Sequence, residues 1–243
     1  MRSENLIGKS MVDVILALPE FDWLFNDNGS ETKTKIRTLT FVDYEKKKPR
    51  KAIDLYQPIG ISKLSLEELE KYNLIGNGDE KRLVGLTSKV TLGEPYQEEE
   101  HKFAHIPMID FDKDKRLNLS NEKLRNIITR TIKEGIGLKG LLLKSSHKDN
   151  YHFISTERLL DEEGLITFCG LCLTMKYKNE NGESINLFDS RHIGHTLSPM
   201  KYIVDLSGEK NWQPYDFKER FITLRLTPKN PGEPLPKVVE VVK

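Results

Sequence analysis

Hydrophobic positions in this chain follow two spacings, the alternation that suits strands and the recurrence that suits helices. Helical recurrence runs over residues 10–25 through Met11, Val14, Ile15, Leu18 and Phe21, with Pro19 interrupting it. Residues 35–42 and 83–92 read as strands, and residues 64–72 as a short acidic helix with Ser65 at its start and Glu67 and Glu68 in its first turn. A linker over 93–102 leads into His105-Ile106-Pro107-Met108-Ile109-Asp110-Phe111-Asp112, an apolar run that delivers two carboxylates at its end. The clearest helix spans 121–134, capped by Ser120, with Leu124, Ile127, Ile128 and Thr131 on one face and Gly135 and Gly137 as stops. Residues 138–144, built on Leu141-Leu142-Leu143, read as a buried strand covered on both faces.

Beyond this point the spacing predicts a polar turn at 145–150, a returning strand at 151–154, and a helix over 156–173 capped by Ser155 and carrying both cysteines. A turn at 179–183 precedes a strand over 185–188 that presents Asp189 at its end. Residues 220–227 alternate as a half-buried strand, and after Pro228, Pro231, Pro234 and Pro236 the run 238–242 reads as an edge strand. The strand–helix–strand order at 105–144 belongs to a βαβ unit or an α/β sandwich. The expected class is therefore α/β (α+β), a mixed sheet flanked by helices, with an N-terminal region over 1–100 packed on or inserted before a core over 101–243.

Composition narrows the function classes without choosing one. Lys plus Arg at 38 against Asp plus Glu at 37 leaves a net charge of +1, so nucleic-acid contact would need a local patch. The dense basic stretch over 45–51 is such a patch or a solvated loop. No apolar run approaches bilayer length, the first ten residues lack the regions of a secretory signal, and Cys169 and Cys172 are too few for a disulfide framework. A cytoplasmic protein with no membrane association is the expectation.

Candidate chemistry collects at strand ends. On an extended backbone Asp110 and Asp112 project together while Ile109 and Phe111 turn into a core. Paired carboxylates repel unless a cation sits between them, and oxygen-only ligands suit Mg²⁺ or Mn²⁺. Read alone, the same string is a strand ending in a solvated acidic turn.

Three motifs in order give it more weight. Ile109-Asp110-Phe111-Asp112 resembles the hydrophobic-Asp-hydrophobic-Asp motif of the archaeo-eukaryotic primase (primase-polymerase) superfamily. The stretch Ser146-His147-Lys148-Asp149-Asn150-Tyr151-His152 resembles its second motif, and Leu187-Phe188-Asp189 its third. The resemblance covers about residues 105–197 and implies a metal-dependent nucleotidyltransferase that uses nucleoside triphosphates on a nucleic-acid template. It implies Asp110, Asp112 and Asp189 as metal ligands and His152 as a triphosphate contact, with Ser145, Ser146, Lys148, Arg191 and Arg225 as further nucleotide-binding groups. Tyr151 stands where the family usually has a small residue, and His152 is preferred to His147 because it lies on the strand.

Rival constellations remain. The C-x-x-C string of Cys169 and Cys172 sits late in a leucine-rich segment, a setting for packed cysteines more than for redox catalysis. His192 and His195 would complete a Cys2His2 zinc set with them, although at closer spacing than in a zinc finger. His192-Ile193-Gly194-His195 also spells an adenylate-binding signature, but too late in the chain for that role. A glycosyltransferase using D-x-D to hold a manganese nucleotide sugar, or an inactive nucleic-acid-binding or assembly module of the same fold, are the alternative functions.

Overall fold

The structure is a computed structural model that describes residues 6–10, 13–14, 36–46, 56–62, 82–92, 102–114, 116–145, 149–197, 200–204, 210–214, 222–225 and 235–243. The expected acidic helix at 64–72, the basic loop beyond Lys46, the linker at 93–101 and most of the expected helix at 10–25 lie outside these residues. Of that first helix the structure describes its start, where Ser10 Oγ accepts the Asp13 N–H and the Asp13 carboxylate accepts the Ser10 N–H.

Two antiparallel sheets carry the α+β architecture. The first contains β1 (Ile36–Lys46), β2 (Tyr56–Ser62), β3 (Arg82–Leu92), β4 (Lys102–His105) and β12 (Thr223–Arg225). Its order is β12-β3-β1-β2, and β4 follows β12 along the same edge of β3. The second sheet has the order β13-β6-β7-β5, from β5 (Met108–Phe111), β6 (Gly140–Lys144), β7 (Tyr151–Ser155) and β13 (Lys237–Val242).

The His105–Asp112 run is where the chain changes sheets. Through His105 it pairs with β3, and from Met108 it pairs with β7. Pro107, which has no N–H to place in a ladder, stands at the switch, and its carbonyl accepts the Ser155 N–H at 2.9 Å. Ile109 and Phe111 are buried as the alternation requires, and the side chain of Asp110 keeps 25% of its exposure.

After β5 comes α1 (Asn121–Arg130), whose Ser120 cap accepts the Lys123 N–H and whose Leu124 and Ile128 are buried. It continues as a π-helical turn, Thr131–Ile136, until Gly137 adopts the left-handed conformation at φ 73° and ends it. The expected strand–helix–strand unit is present in split form: β5 and β6 run parallel but are separated by β7, antiparallel to both. The expected edge strand at 238–242 is β13, on the outer side of β6.

Two expectations need correction. Ser155 does not cap a helix; it ends β7 opposite Gly140, and its hydroxyl donates to the Lys139 carbonyl at 3.2 Å. Residues 156–161 run on irregularly, held by paired backbone hydrogen bonds between His105 and Leu160, and α2 (Glu162–Thr174) starts at the Asp161 cap. The strand expected over 185–188 is likewise shorter. β9 (Ser184–Asn186) pairs with β8 (Lys176–Lys178), then Leu187 and Phe188 turn inward to the core. Asp189 consequently heads a helix, α3 (Ser190–Leu197), instead of ending a strand. The remaining hairpin joins β10 (Met200–Val204) to β11 (Lys210–Pro214).

Candidate active site

β5 is an edge strand of the second sheet, and the chain returns to its open edge at Asp189. The Asp189 N–H donates to the Asp110 carbonyl at 2.9 Å. Phe111 and Phe188, one residue from each aspartate, hold the two segments together with ring centroids 5.0 Å apart. Asp112 follows two residues beyond Asp110, half-buried and just past the strand end. Backbone pairing thus gathers all three expected aspartates at one edge.

On its other side Asp110 faces His152 of β7. Because the Asp110 carbonyl points away from β7 toward Asp189, the pair is of the non-hydrogen-bonded kind, with Cα atoms about 4.5 Å apart and side chains at their closest. His152 Nε2 lies 3.5 Å from Asp110 Oδ1. His152 is buried, and that burial, followed by the nearby positive charge of Arg225 and the His192 ring, pushes its pKa down to about 3. It is a neutral imidazole at physiological pH.

A second histidine faces the other oxygen. His192, in the first turn of α3, places Nδ1 3.9 Å from Asp110 Oδ2. Its backbone N–H donates to Asp189 Oδ1 at 3.4 Å, so Asp189 caps the helix that carries it. Its Nε2 accepts the Thr223 N–H of β12 at 3.4 Å. Sequence reading left His192 in a zinc set or an adenylate-binding signature. The signal it carried was its place three residues after Asp189, which one helical turn brings back beside the cap.

The phosphate-binding candidates divide. Arg225 reaches across from β12 and donates through Nη2 to the buried Ser145 carbonyl at 3.2 Å, at the mouth of the β6–β7 turn. Ser146 and Lys148 lie outside the described residues, and Arg191 is placed only as a backbone position on α3. Two lysines that sequence reading passed over stand at this turn: Lys113 Nζ lies 3.4 Å and Lys144 Nζ 3.2 Å from the Asp149 carboxylate. Asp149 itself sits at φ 59°, a left-handed conformation that Asp tolerates better than most residues.

Met108, Asp110, Cys169, Cys172, His192 and Ile222 line a narrow cleft with room for about one water molecule. Burial pushes both thiols up to about 12, so neither is a thiolate nucleophile at neutral pH. Among the described residues no three His, Cys, Asp or Glu side chains already form a metal-binding group, and the His195 side chain expected for zinc is not among them. Asp110, Asp112 and Asp189 are brought together by backbone, not as a closed cage. As donors they fit a hard divalent cation, being oxygen ligands on two hydrogen-bonded segments.

Among the described residues no helix is long and apolar enough to cross a membrane. Neither the curated proteins nor the solved structures include a match to this chain. A family model described as archaeo-eukaryotic primase 1D-like matches residues 62–211, well over half of the chain and inclusive of Asp110, Asp112, His152, Asp189 and His192, and the chain belongs to that family.

Proposed function

We propose that this protein is a divalent-metal-dependent nucleotidyltransferase that adds nucleoside triphosphates to a nucleic-acid strand on a template. The observation that carries the reading is the junction at Asp110: its carbonyl accepts the Asp189 N–H, and its side chain faces His152, within a segment matched to the primase-like family. Asp110, Asp112 and Asp189 would hold Mg²⁺ or Mn²⁺. Bound there, such ions neutralise triphosphate charge and lower the pKa of an attacking hydroxyl.

The chain's own groups supply the rest. His152, kept neutral by burial, offers a ring N–H to a triphosphate oxygen without adding a charge that would compete with the ions. Arg225, anchored on the Ser145 carbonyl, supplies a fixed guanidinium beside it. Lys113 and Lys144 are lysines at the same turn, with Ser145, Ser146, Lys148 and Arg191 as further donors on flanking segments. Burial of His152 and the closeness of both histidines to Asp110 favour this reading over a D-x-D glycosyltransferase, which has no use for either.

Incubation with a primed template, labelled nucleotides and Mn²⁺ tests it. Incorporation should fall by at least about 100-fold in Asp110→Ala plus Asp112→Ala, since loss of even an indirect partner of a bound metal costs 10–100-fold. Equal incorporation by the variant would sink the assignment. Tight nucleic-acid binding with no incorporation by the parent protein would point to the binding-module alternative.

A further inference from the structure

His192 does a job that neither the fold nor the aspartate motifs require of it. We propose that His192 is a positioning residue for Asp110, locked by the Thr223 backbone into the tautomer that presents a ring N–H to the Asp110 carboxylate. This rests on the reading of Asp110 as a metal ligand given above.

The argument runs through the two ring nitrogens. A backbone N–H only donates, so Nε2, which takes the Thr223 N–H at 3.4 Å, must present its lone pair. In the neutral ring the proton is then on Nδ1, the nitrogen 3.9 Å from Asp110 Oδ2. That separation is outside hydrogen-bond range, and contacts of this kind commonly tighten only when a site is loaded. The backbone of His192 is held by the Asp189 cap, its carbonyl accepts the Thr196 hydroxyl at 3.1 Å, and the far edge of its ring is fixed by β12.

The consequence is a carboxylate with one histidine on each oxygen, His152 at Oδ1 and His192 at Oδ2. Metal-binding carboxylates are ordinarily oriented by hydrogen bonds from outside the ligand set, and the Nδ1–H of His192 is placed to supply one to Oδ2 when the site tightens. His192 also links Asp110, Asp189 and β12, so the element that delivers Arg225 is registered to the one that delivers the aspartates.

Two near-isosteric substitutions separate positioning from bulk. His192→Asn keeps an amide N–H where Nδ1 stood, whereas His192→Gln moves the amide toward the Nε2 position. Titration of Mn²⁺ against the full-length parent, Asp110→Ala, His192→Asn, His192→Gln and His192→Leu, by calorimetry or by loss of the free-ion spin-resonance signal, reads metal affinity without turnover. His192→Leu and His192→Gln should weaken Mn²⁺ by about 10–100-fold, with His192→Asn staying within about 5-fold of the parent. Parent-like affinity in His192→Leu and His192→Gln, with Asp110→Ala impaired, overturns the positioning role and leaves the Asp110 reading standing. If Asp110→Ala binds Mn²⁺ as the parent does, the reading beneath it fails and takes this inference with it. Nitrogen-15 correlation spectra of the parent protein give a check independent of any variant: the Nδ1–H pattern for His192 is required, and the Nε2–H pattern overturns the proposal.

Discussion

Burying an imidazole opposite a carboxylate has a cost that shows in acid. His152 has its pKa pushed down to about 3 by burial first, and then by Arg225 and His192, against 6.5 for an ordinary histidine. Between those values the unfolded chain binds a proton at this residue and the folded chain does not. Stability therefore falls as pH drops below about 6.5, at a limiting slope near 1.4 kcal/mol per pH unit, and is flat with respect to this group above it. Urea unfolding of metal-free protein at pH 7 and pH 5 should show that loss, and His152→Leu should show a smaller pH dependence of its midpoint. An unchanged dependence in the variant would assign the acid sensitivity to other groups. Residues of this kind are only half legible in a sequence: strand alternation puts Asp110 and Asp112 on one face, but nothing local says that His152 is the residue across from Asp110. That pairing is set by the length of the β6–β7 turn and the position of β5.

At the scale of elements, local signals succeed where the segment owns its own stabilisation. The helix at 121–130 has a Ser120 cap, an apolar stripe and a left-handed Gly137 beyond its end, so its limits are written nearby. Ser155 and Asp161 compete as caps, and the winner is decided by a partner far along the chain, Gly140, which holds Ser155 in the sheet. Gly140 is special for a steric reason. A Cβ there would stand 2.2 Å from the Ile154 carbonyl oxygen and 2.8 Å from the Phe153 ring. Gly140→Ala must therefore push β6 off β7 and should cost about 1–3 kcal/mol or more in denaturant unfolding. Gly170 on α2 offers the contrast, with nothing within 4 Å of an added Cβ. Gly170→Ala should be neutral or stabilising by up to about 1 kcal/mol, as helix propensity favours Ala. Equal effects at the two glycines would contradict the close β6–β7 approach.

For the whole molecule, the question is how two sheets and a helix deliver side chains to one edge. Asp110, His152, His192 and Arg225 come from β5, β7, α3 and β12, and no local pattern links them. The order of Asp110, Asp112, His152 and Asp189 resembled that of a known family, which is why those four were assigned to the site before any geometry was known, while His192 was not; the sheet switch at Pro107 also went unread, because one extended run looks the same whether it joins one sheet or two. The switch is held by a buried polar knot. The Ser88 hydroxyl accepts the Ile222 N–H at 2.9 Å and lies 3.2 Å from His105 Nδ1, while the Ser88 carbonyl accepts the Ile106 N–H at 2.8 Å. One serine on β3 thereby fixes both the start of the β4–β5 crossing and the residue before Thr223. Ser88→Ala would leave the Ile222 N–H and a ring nitrogen buried without that hydroxyl, a loss of about 1–3 kcal/mol for unsatisfied groups of this kind. Because Thr223 orients His192, the damage should not stop at stability. Below the unfolding midpoint, the Thr223 amide resonance and the His192 ring nitrogens should shift in the same spectra in which the α1 resonances stay where they were. A uniform loss of stability with the Thr223 and His192 signals unmoved would show that β12 finds its register without Ser88, and that the link between the two sheets and the site lies elsewhere.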